Sequence, residues 1–119
     1  MEKQIKGKVG EDHILKKLEK EGYRLLHRNF FVRGGEIDLV LEKKQRLVFV
    51  EVKTRSSDHF GSPFDSITAQ KKRHLRRAAE LYIQQYHLEE RDVEFWAAAV
   101  YMDRDGKILK EEFVYDVLA

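Results

Sequence analysis

The sequence contains no cysteine, which excludes both a disulfide framework and a thiolate zinc site. It has a single proline, and no apolar run approaches the roughly 20 residues that a bilayer-spanning helix needs. The opening segment, Met1-Glu2-Lys3-Gln4, lacks the apolar stretch of a signal peptide. We therefore expect a cytoplasmic protein that does not associate with membranes. The formal net charge of +2 is too small to indicate nucleic-acid binding by itself.

What the chain does contain is typical of one globular unit. Hydrophobic residues make up 42% and charged residues 37% of its 119 residues. A chain of this length can bury one core but not two. No internal repeat, low-complexity tract or linker divides it, so we expect a single domain over residues 1–119.

The central part of the sequence predicts a β-hairpin. Gly34–Leu41 and Leu47–Arg55 are both rich in β-branched and apolar residues, and a glycine pair opens the first segment. The polar connector Lys43–Arg46 is short enough for a turn between two strands.

Three charged residues interrupt these apolar strands: Asp38, Glu51 and Lys53. Because strand side chains alternate between faces, Glu51 and Lys53 should project together, opposite Val50 and Val52. Buried charges need partners, and carboxylate oxygens suit Mg²⁺ or Mn²⁺. The alternative is a cross-strand ion pair on a solvent-exposed sheet face.

The paired segments Gly35-Glu36-Ile37-Asp38-Leu39-Val40 and Val48-Phe49-Val50-Glu51-Val52-Lys53-Thr54-Arg55 resemble the signature of the YraN-like proteins. These are small bacterial members of the PD-(D/E)xK nuclease superfamily, related to archaeal-type Holliday junction resolvases. The resemblance extends over most of the chain and includes Gly7-x-x-Gly10-Glu11, Gly22-Tyr23, Asn29, Phe60-Gly61 and Lys71. It implies a restriction-endonuclease-like core and metal-dependent hydrolysis of phosphodiester bonds in DNA, including branched or junction DNA.

The resemblance also implies roles for individual residues. Asp38 and Glu51 would ligate Mg²⁺ or Mn²⁺ with the backbone carbonyl of Val52. Lys53 would position the attacking water or stabilise charge on the phosphate. Glu11 would complete the shell around the metal.

Ile5–Glu21 has a helical pattern that ends at Gly22, and Tyr23–Val32 is predicted to be a strand. Glu11 falls on the packing face of that helix, which is unusual for an acid. It either reaches the carboxylates of the hairpin or pairs with solvent or an arginine.

A second helix is predicted from Ser66 or Thr68, either of which could cap it, to about Tyr86. Its first turns are strongly basic, although cations oppose the dipole at a helix N-terminus. A passing phosphate backbone would account for them, and solvated charge with packed aliphatic stems is the alternative.

Three further residues are candidates for substrate binding: Arg55, Gln70 and Lys71. Arg55 ends the second hairpin strand, and the other two lie where the second helix begins. The loop Ser56–Pro63 follows the same strand, so it should border the site, either touching substrate or serving as a connector.

Val93–Met102 and Lys107 to about Val117 complete the predicted elements as two strands. The whole order is α-β-β-β-α-β-β, which indicates an α/β fold with a mixed sheet and two packed helices. One departure from the family pattern is Trp96, which stands where related sequences tend to have an Asp and cannot ligate metal.

Two other function classes are compatible with this sequence. A non-catalytic nucleic-acid-binding module of the same fold would keep the basic helix and use the acids structurally. A purely structural or interaction protein would bind neither metal nor DNA. A homodimer fits the cleavage of two strands, because each cut needs its own site.

Overall fold

A computed structural model describes residues 2–56 and 62–118 of the chain. Helix α1 spans Lys3–Lys20, and strands β1, β2 and β3 span Arg24–Val32, Gly35–Lys43 and Arg46–Ser56. A short 3-10 helix, Pro63–Ser66, precedes helix α2 at Ala69–Gln85. Strands β4 and β5 span Asp92–Met102 and Ile108–Val114.

The five strands form one mixed sheet in the order β1-β2-β3-β4-β5. Strand β4 runs parallel to β3, and every other neighbouring pair is antiparallel. The crossover between the parallel strands carries α2, as a parallel pair requires. This arrangement confirms the expected α/β class, the mixed sheet with two packed helices and the order α-β-β-β-α-β-β.

The side chains of the hairpin point alternately to opposite faces of the sheet and enter a hydrophobic cluster on each face. One face packs against α1 through Leu39, Leu41, Val48 and Val50. The other packs against α2 through Val40, Leu47 and Phe49. The strands that carry the charged residues are therefore covered on both faces.

Helix α1 runs antiparallel to β3. Its residue Gly10 lies against Thr54 near the end of β3, where a Cβ on Gly10 would come within 2.2 Å of the threonine Oγ1. The other end of the helix lies by the hairpin turn, where the Lys43 ammonium donates to the Glu21 carbonyl at 2.5 Å. The first turns of α1 thus extend past the end of β3.

Helix α2 also runs antiparallel to β3, on the opposite face. Near its start, a Cβ on Gly35 would lie 2.7 Å from the His74 carbonyl oxygen. Farther along, the ring of Tyr82 stands 5.8 Å from that of Phe49, edge to face. Both helices consequently begin at the end of the sheet where β3 finishes.

One expected strand boundary differs from the structure, and most of one expected loop lies outside the described residues. The prediction that the last strand reaches Val117 is wrong, because β5 ends at Val114. Beyond it Asp116 has a positive φ of 57°, outside the extended region, and the Val117 N–H donates to the Phe95 carbonyl at 2.8 Å. Of the predicted loop Ser56–Pro63, residues 57–61 lie outside the described residues.

No helix in the described ranges is both long and apolar enough to cross a membrane.

Candidate active site

Asp38 lies where the β2–β3 ladder stops. The last pair of this ladder is Leu39 with Val50, so Asp38 and Glu51 stand just beyond it. The Val52 N–H donates to the Asp38 Oδ2 at 2.7 Å instead of to a backbone carbonyl. Asp38 is 8% exposed and Glu51 7% exposed, which makes them the buried acids of the described chain.

Glu51 is held by two lysines from different elements. The Lys53 ammonium lies 3.1 Å from the Glu51 Oε1, and the Lys71 ammonium reaches the same oxygen at 3.4 Å from the start of α2. The Lys53 side chain is 13% exposed and that of Lys71 39% exposed. Glu51 and Lys53 share a face, as strand alternation predicted.

The Asp38 carboxyl lies in surroundings that disfavour its charged form. Burial, followed by repulsion from Glu51, raises the pKa of the Asp38 carboxyl to about 8. The Val52 N–H lowers that pKa, while Glu11 and Glu36 raise it further. A carboxyl group that stays protonated near neutral pH is a feature of functional sites.

The two lysines differ in how firmly they hold their protons. Burial lowers the pKa of Lys53; Glu51 opposes this shift, and a hydrogen bond with Lys71 adds to it. Burial also acts to lower the pKa of Lys71, but the bond to Lys53 and the attraction of Glu51 raise it overall. Lys71 is therefore the more permanent cation, and Lys53 the amine that gives up a proton more readily.

Glu11 lies next to the carboxylate pair but has partners of its own. Its Oε1 accepts from the Arg28 Nε at 3.3 Å and from the Asn29 amide at 3.4 Å. The same amide lies 3.3 Å from the Glu36 Oε1. The structure thus places Glu11 at the edge of the site, where Asn29 links it to Glu36.

Glu36 and Asn29 have a place in this site that reasoning from the residues did not assign to them. Glu36 is an exposed strand residue, which by pattern alone looks like ordinary solvated charge. Asn29 has a positive φ of 55°, a conformation that Asn adopts more readily than most residues. The signal in the sequence that could have indicated the role of Asn29 is an asparagine within a largely apolar strand.

The remaining candidates surround this centre. Arg55 is half-buried two residues beyond Lys53, and its Nη1 donates to the Thr54 carbonyl at 3.1 Å. Gln70 is exposed in the first turn of α2. Trp96 belongs to the α1-side core, opposite the face of Glu51. The departure from the family pattern at Trp96 therefore leaves the carboxylate pair unaltered.

The donor set suits a divalent cation bound by few protein ligands. Asp38 and Glu51 are buried, mutually repelling carboxylates on rigid strands, and a cation between them would relieve that repulsion. Among residues 2–56 and 62–118, no three acidic or histidine side chains converge closely enough to form a metal site alone. Mg²⁺ commonly binds through one or two carboxylates and completes its shell with water and phosphate oxygens.

Sequence comparison matches residues 10–117 to the model of the Uncharacterised protein family UPF0102. A "UPF0102 protein" from Caldicellulosiruptor saccharolyticus is 40% identical over 109 residues, covering 92% of both chains. Another, from Moorella thermoacetica, is 37% identical over 114 residues, covering 96% of this chain and 95% of the relative.

Two solved structures show a remote likeness. An XisH family protein from Nostoc punctiforme aligns with a TM-score of 0.41 and 18% identity, over 87% of this chain and 98% of the other. Pyrococcus furiosus SfsA in complex with Ca²⁺ aligns with a TM-score of 0.38 and 20% identity, over 89% of this chain and 61% of the other. Similarity this weak does not bear on function.

Proposed function

The chain belongs to the Uncharacterised protein family UPF0102, and we propose that it is a metal-dependent nuclease that hydrolyses phosphodiester bonds in DNA. The observation that carries this proposal is the pair of buried carboxylates, Asp38 and Glu51, with Lys53 beside them. Two neighbouring buried carboxyl groups that repel each other destabilise a fold, so their presence at the end of a strand ladder favours a functional role.

In this proposal Asp38, Glu51 and the backbone carbonyl of Val52 hold Mg²⁺ or Mn²⁺. When bound, the metal would lower the pKa of a water molecule and neutralise charge on a phosphate oxygen. Hydrolysis forms a bond from the water oxygen to phosphorus and breaks the bond from phosphorus to the leaving oxygen, which gains a proton.

The lysines would act on the charges that develop in this step. Lys53, with its lowered pKa, is suited to accept a hydrogen bond from the attacking water or to share its proton. Lys71 remains charged and can contact the phosphate once the carboxylate is engaged elsewhere. Arg55 and Gln70 would hold the strand that is cut, and Glu11 would orient water at the edge of the site.

A metal titration tests the first step of this proposal. Isothermal calorimetry with Mg²⁺ and with Mn²⁺, alone and with a short DNA duplex, should give binding heat for the wild type. An Asp38→Asn, Glu51→Gln double variant should give none. A matched control with the same number of acid-to-amide changes is Glu89→Gln, Glu90→Gln, since both residues are exposed in the turn between α2 and β4, farther from the site.

A cleavage assay tests the second step. Linear, nicked, flapped and four-way DNA are incubated with the wild type and with Lys53→Met, which keeps the length of the side chain but removes the amine. Metal-dependent products that disappear in the variant support the nuclease. The chain would instead be a non-catalytic binding module if it binds duplex DNA without cleaving it, and if neither a chelator nor Lys53→Met alters that binding.

A further inference from the structure

The carboxylate site is flanked on both faces of the sheet by the starts of the two helices. Both helices run antiparallel to β3, so their first turns lie at the end where Asp38 and Glu51 stand. Helix α1 covers one face and α2 the other. Side chains in these turns can therefore contact a molecule that crosses the site from two sides.

Each of these starts is basic. Neither first turn contains an acid, and the cap residue Glu2 makes no capping bond through its side chain. The cations concerned, here called the two-sided basic surface, are Lys3, Lys6, Lys8, Lys72 and Arg73. A cation at a helix N-terminus opposes the helix dipole, so the fold gains nothing from this placement.

The cations of the basic surface are not held in ion pairs with carboxylates. Lys17, Arg24, Arg46 and Arg91 each lie within 4 Å of a carboxylate. Within residues 2–56 and 62–118, none of the five cations of the basic surface forms such an ion pair. Their charge is available to an anionic partner.

The side chains exposed at the described part of this end of the molecule favour duplex over single-stranded nucleic acid. Proteins that bind single strands stack successive bases on several aromatic side chains. In the described part of this end of the sheet, Phe31 is the exposed aromatic, at 69% exposure. One ring cannot support a run of stacked bases, whereas cations on two faces can contact phosphates on both sides of a cut.

We propose that the two-sided basic surface binds the backbone phosphates of duplex DNA on either side of the scissile bond, with Lys3, Lys6 and Lys8 on one side and Lys72 and Arg73 on the other. The substrate identity rests on the proposed function. Phosphate contacts of this kind position a duplex without reading its sequence.

The test is the salt dependence of duplex binding, measured by fluorescence anisotropy of a labelled 20-base-pair duplex in EDTA. Two variants remove two cations each: Lys3→Gln, Lys6→Gln and Lys72→Gln, Arg73→Gln. The control is Lys16→Gln, Lys20→Gln, which removes the same charge from exposed positions in the later turns of α1. Thermal unfolding checks that all variants are folded.

Each phosphate contact contributes about 0.9 to the slope of log K against log salt. We expect each surface variant to reduce the magnitude of that slope by about 2, and the control to leave it unchanged. An equal loss in the control, no loss in the surface variants, or a loss confined to one helix would each overturn the proposal. So would equal losses for a single strand and a duplex of the same sequence.

The two proposals can fail separately because this assay needs no metal. Reduced slopes without metal binding or cleavage would retain the basic surface and reject the nuclease. Metal-dependent cleavage with unchanged slopes would retain the nuclease and reject the basic surface.

Discussion

The raised pKa of Asp38 makes a specific prediction about stability and pH. Its carboxyl titrates near pH 8 in the folded chain, because of burial and then the repulsion of Glu51, against a reference value of 3.8. Between these values the folded state retains a proton that the unfolded state releases. Stability attributable to Asp38 must therefore fall as the pH rises through this window.

The variant Asp38→Asn removes this dependence while keeping an oxygen that can accept from the Val52 N–H. One pH unit within the window is worth at most about 1.4 kcal/mol. Between pH 5 and pH 7 the variant should therefore gain up to about 2.7 kcal/mol of unfolding free energy relative to the wild type. Coupling to Glu51 spreads the titration and makes this figure an upper limit.

The assay is urea unfolding at pH 5, 6 and 7 in EDTA, with the variant and the wild type compared at each pH. Glu42→Gln is a control of opposite sign, because hydrogen bonds from Arg91 and Arg24 lower the pKa of Glu42 from 4.5. The stability that Glu42 contributes is present above pH 4.5 and is lost only as the pH falls toward its folded pKa. Its difference from the wild type should be constant over the same range.

A difference between Asp38→Asn and the wild type that stays flat from pH 5 to 7 would refute the inference of a retained proton. A difference of the opposite slope would indicate that the folded chain releases protons in this range where the inference requires it to retain one. Either result would remove the electrostatic argument for a cation at this position.

Three further predictions concern the supports of the site. Gly10→Ala should cost about 1–3 kcal/mol of stability, because the added methyl group overpacks against Thr54. Gly7 faces open space, so Gly7→Ala should gain about 0.5–1 kcal/mol. Equal effects of the two variants in urea unfolding would contradict this contrast. Thr68→Ala should lose about 1 kcal/mol, because the threonine Oγ1 accepts the Lys71 N–H at 3.2 Å, and an unchanged unfolding midpoint would show that this cap contributes nothing. Saturating Mg²⁺ should raise the melting temperature more at pH 8 than at pH 6, since Asp38 must lose its proton to bind metal; equal shifts would argue against a carboxylate ligand with a raised pKa.

Much of the fold could be predicted because its strands have a clear period of two. The hairpin, its charged residues and the shared face of Glu51 and Lys53 all followed from alternation and a short polar connector. The same logic failed at the end of the chain. Alternating apolar residues continue to Val117, but the strand ends at Val114 and Asp116 adopts a left-handed backbone conformation.

The start of α2 shows the limit of capping signals. Ser66 and Thr68 are equally suitable caps by residue type. In the fold Ser66 ends a separate 3-10 helix, and Thr68 caps the α-helix. The choice depends on how the crossover from β3 packs, which no local preference contains.

The partners of Glu11 illustrate why outer parts of a site are harder to predict than its centre. The helical pattern indicated that Glu11 faces the sheet, but not which of its neighbours it would meet. Arg28 and Asn29 reach it because β1 has a register shift between Leu25 and His27. A bulge of this kind depends on pairing between strands and leaves little trace in one strand's own sequence.

Alternation could predict which face of the sheet Asp38 lies on, but not which group its carboxylate contacts. That contact matters most for the site. Alternation puts Asp38 and Glu51 on the same side of the sheet, yet an unbroken ladder would keep the Val52 N–H bonded to backbone. In the structure pairing stops at Leu39 and Val50, and the Asp38 carboxylate takes that N–H. This bond holds the Asp38 carboxylate beside β3, where burial and then repulsion from Glu51 raise its pKa. A residue change that extended the ladder by one pair would retain every charge and still disturb the carboxylate arrangement on which the proposed cation site depends.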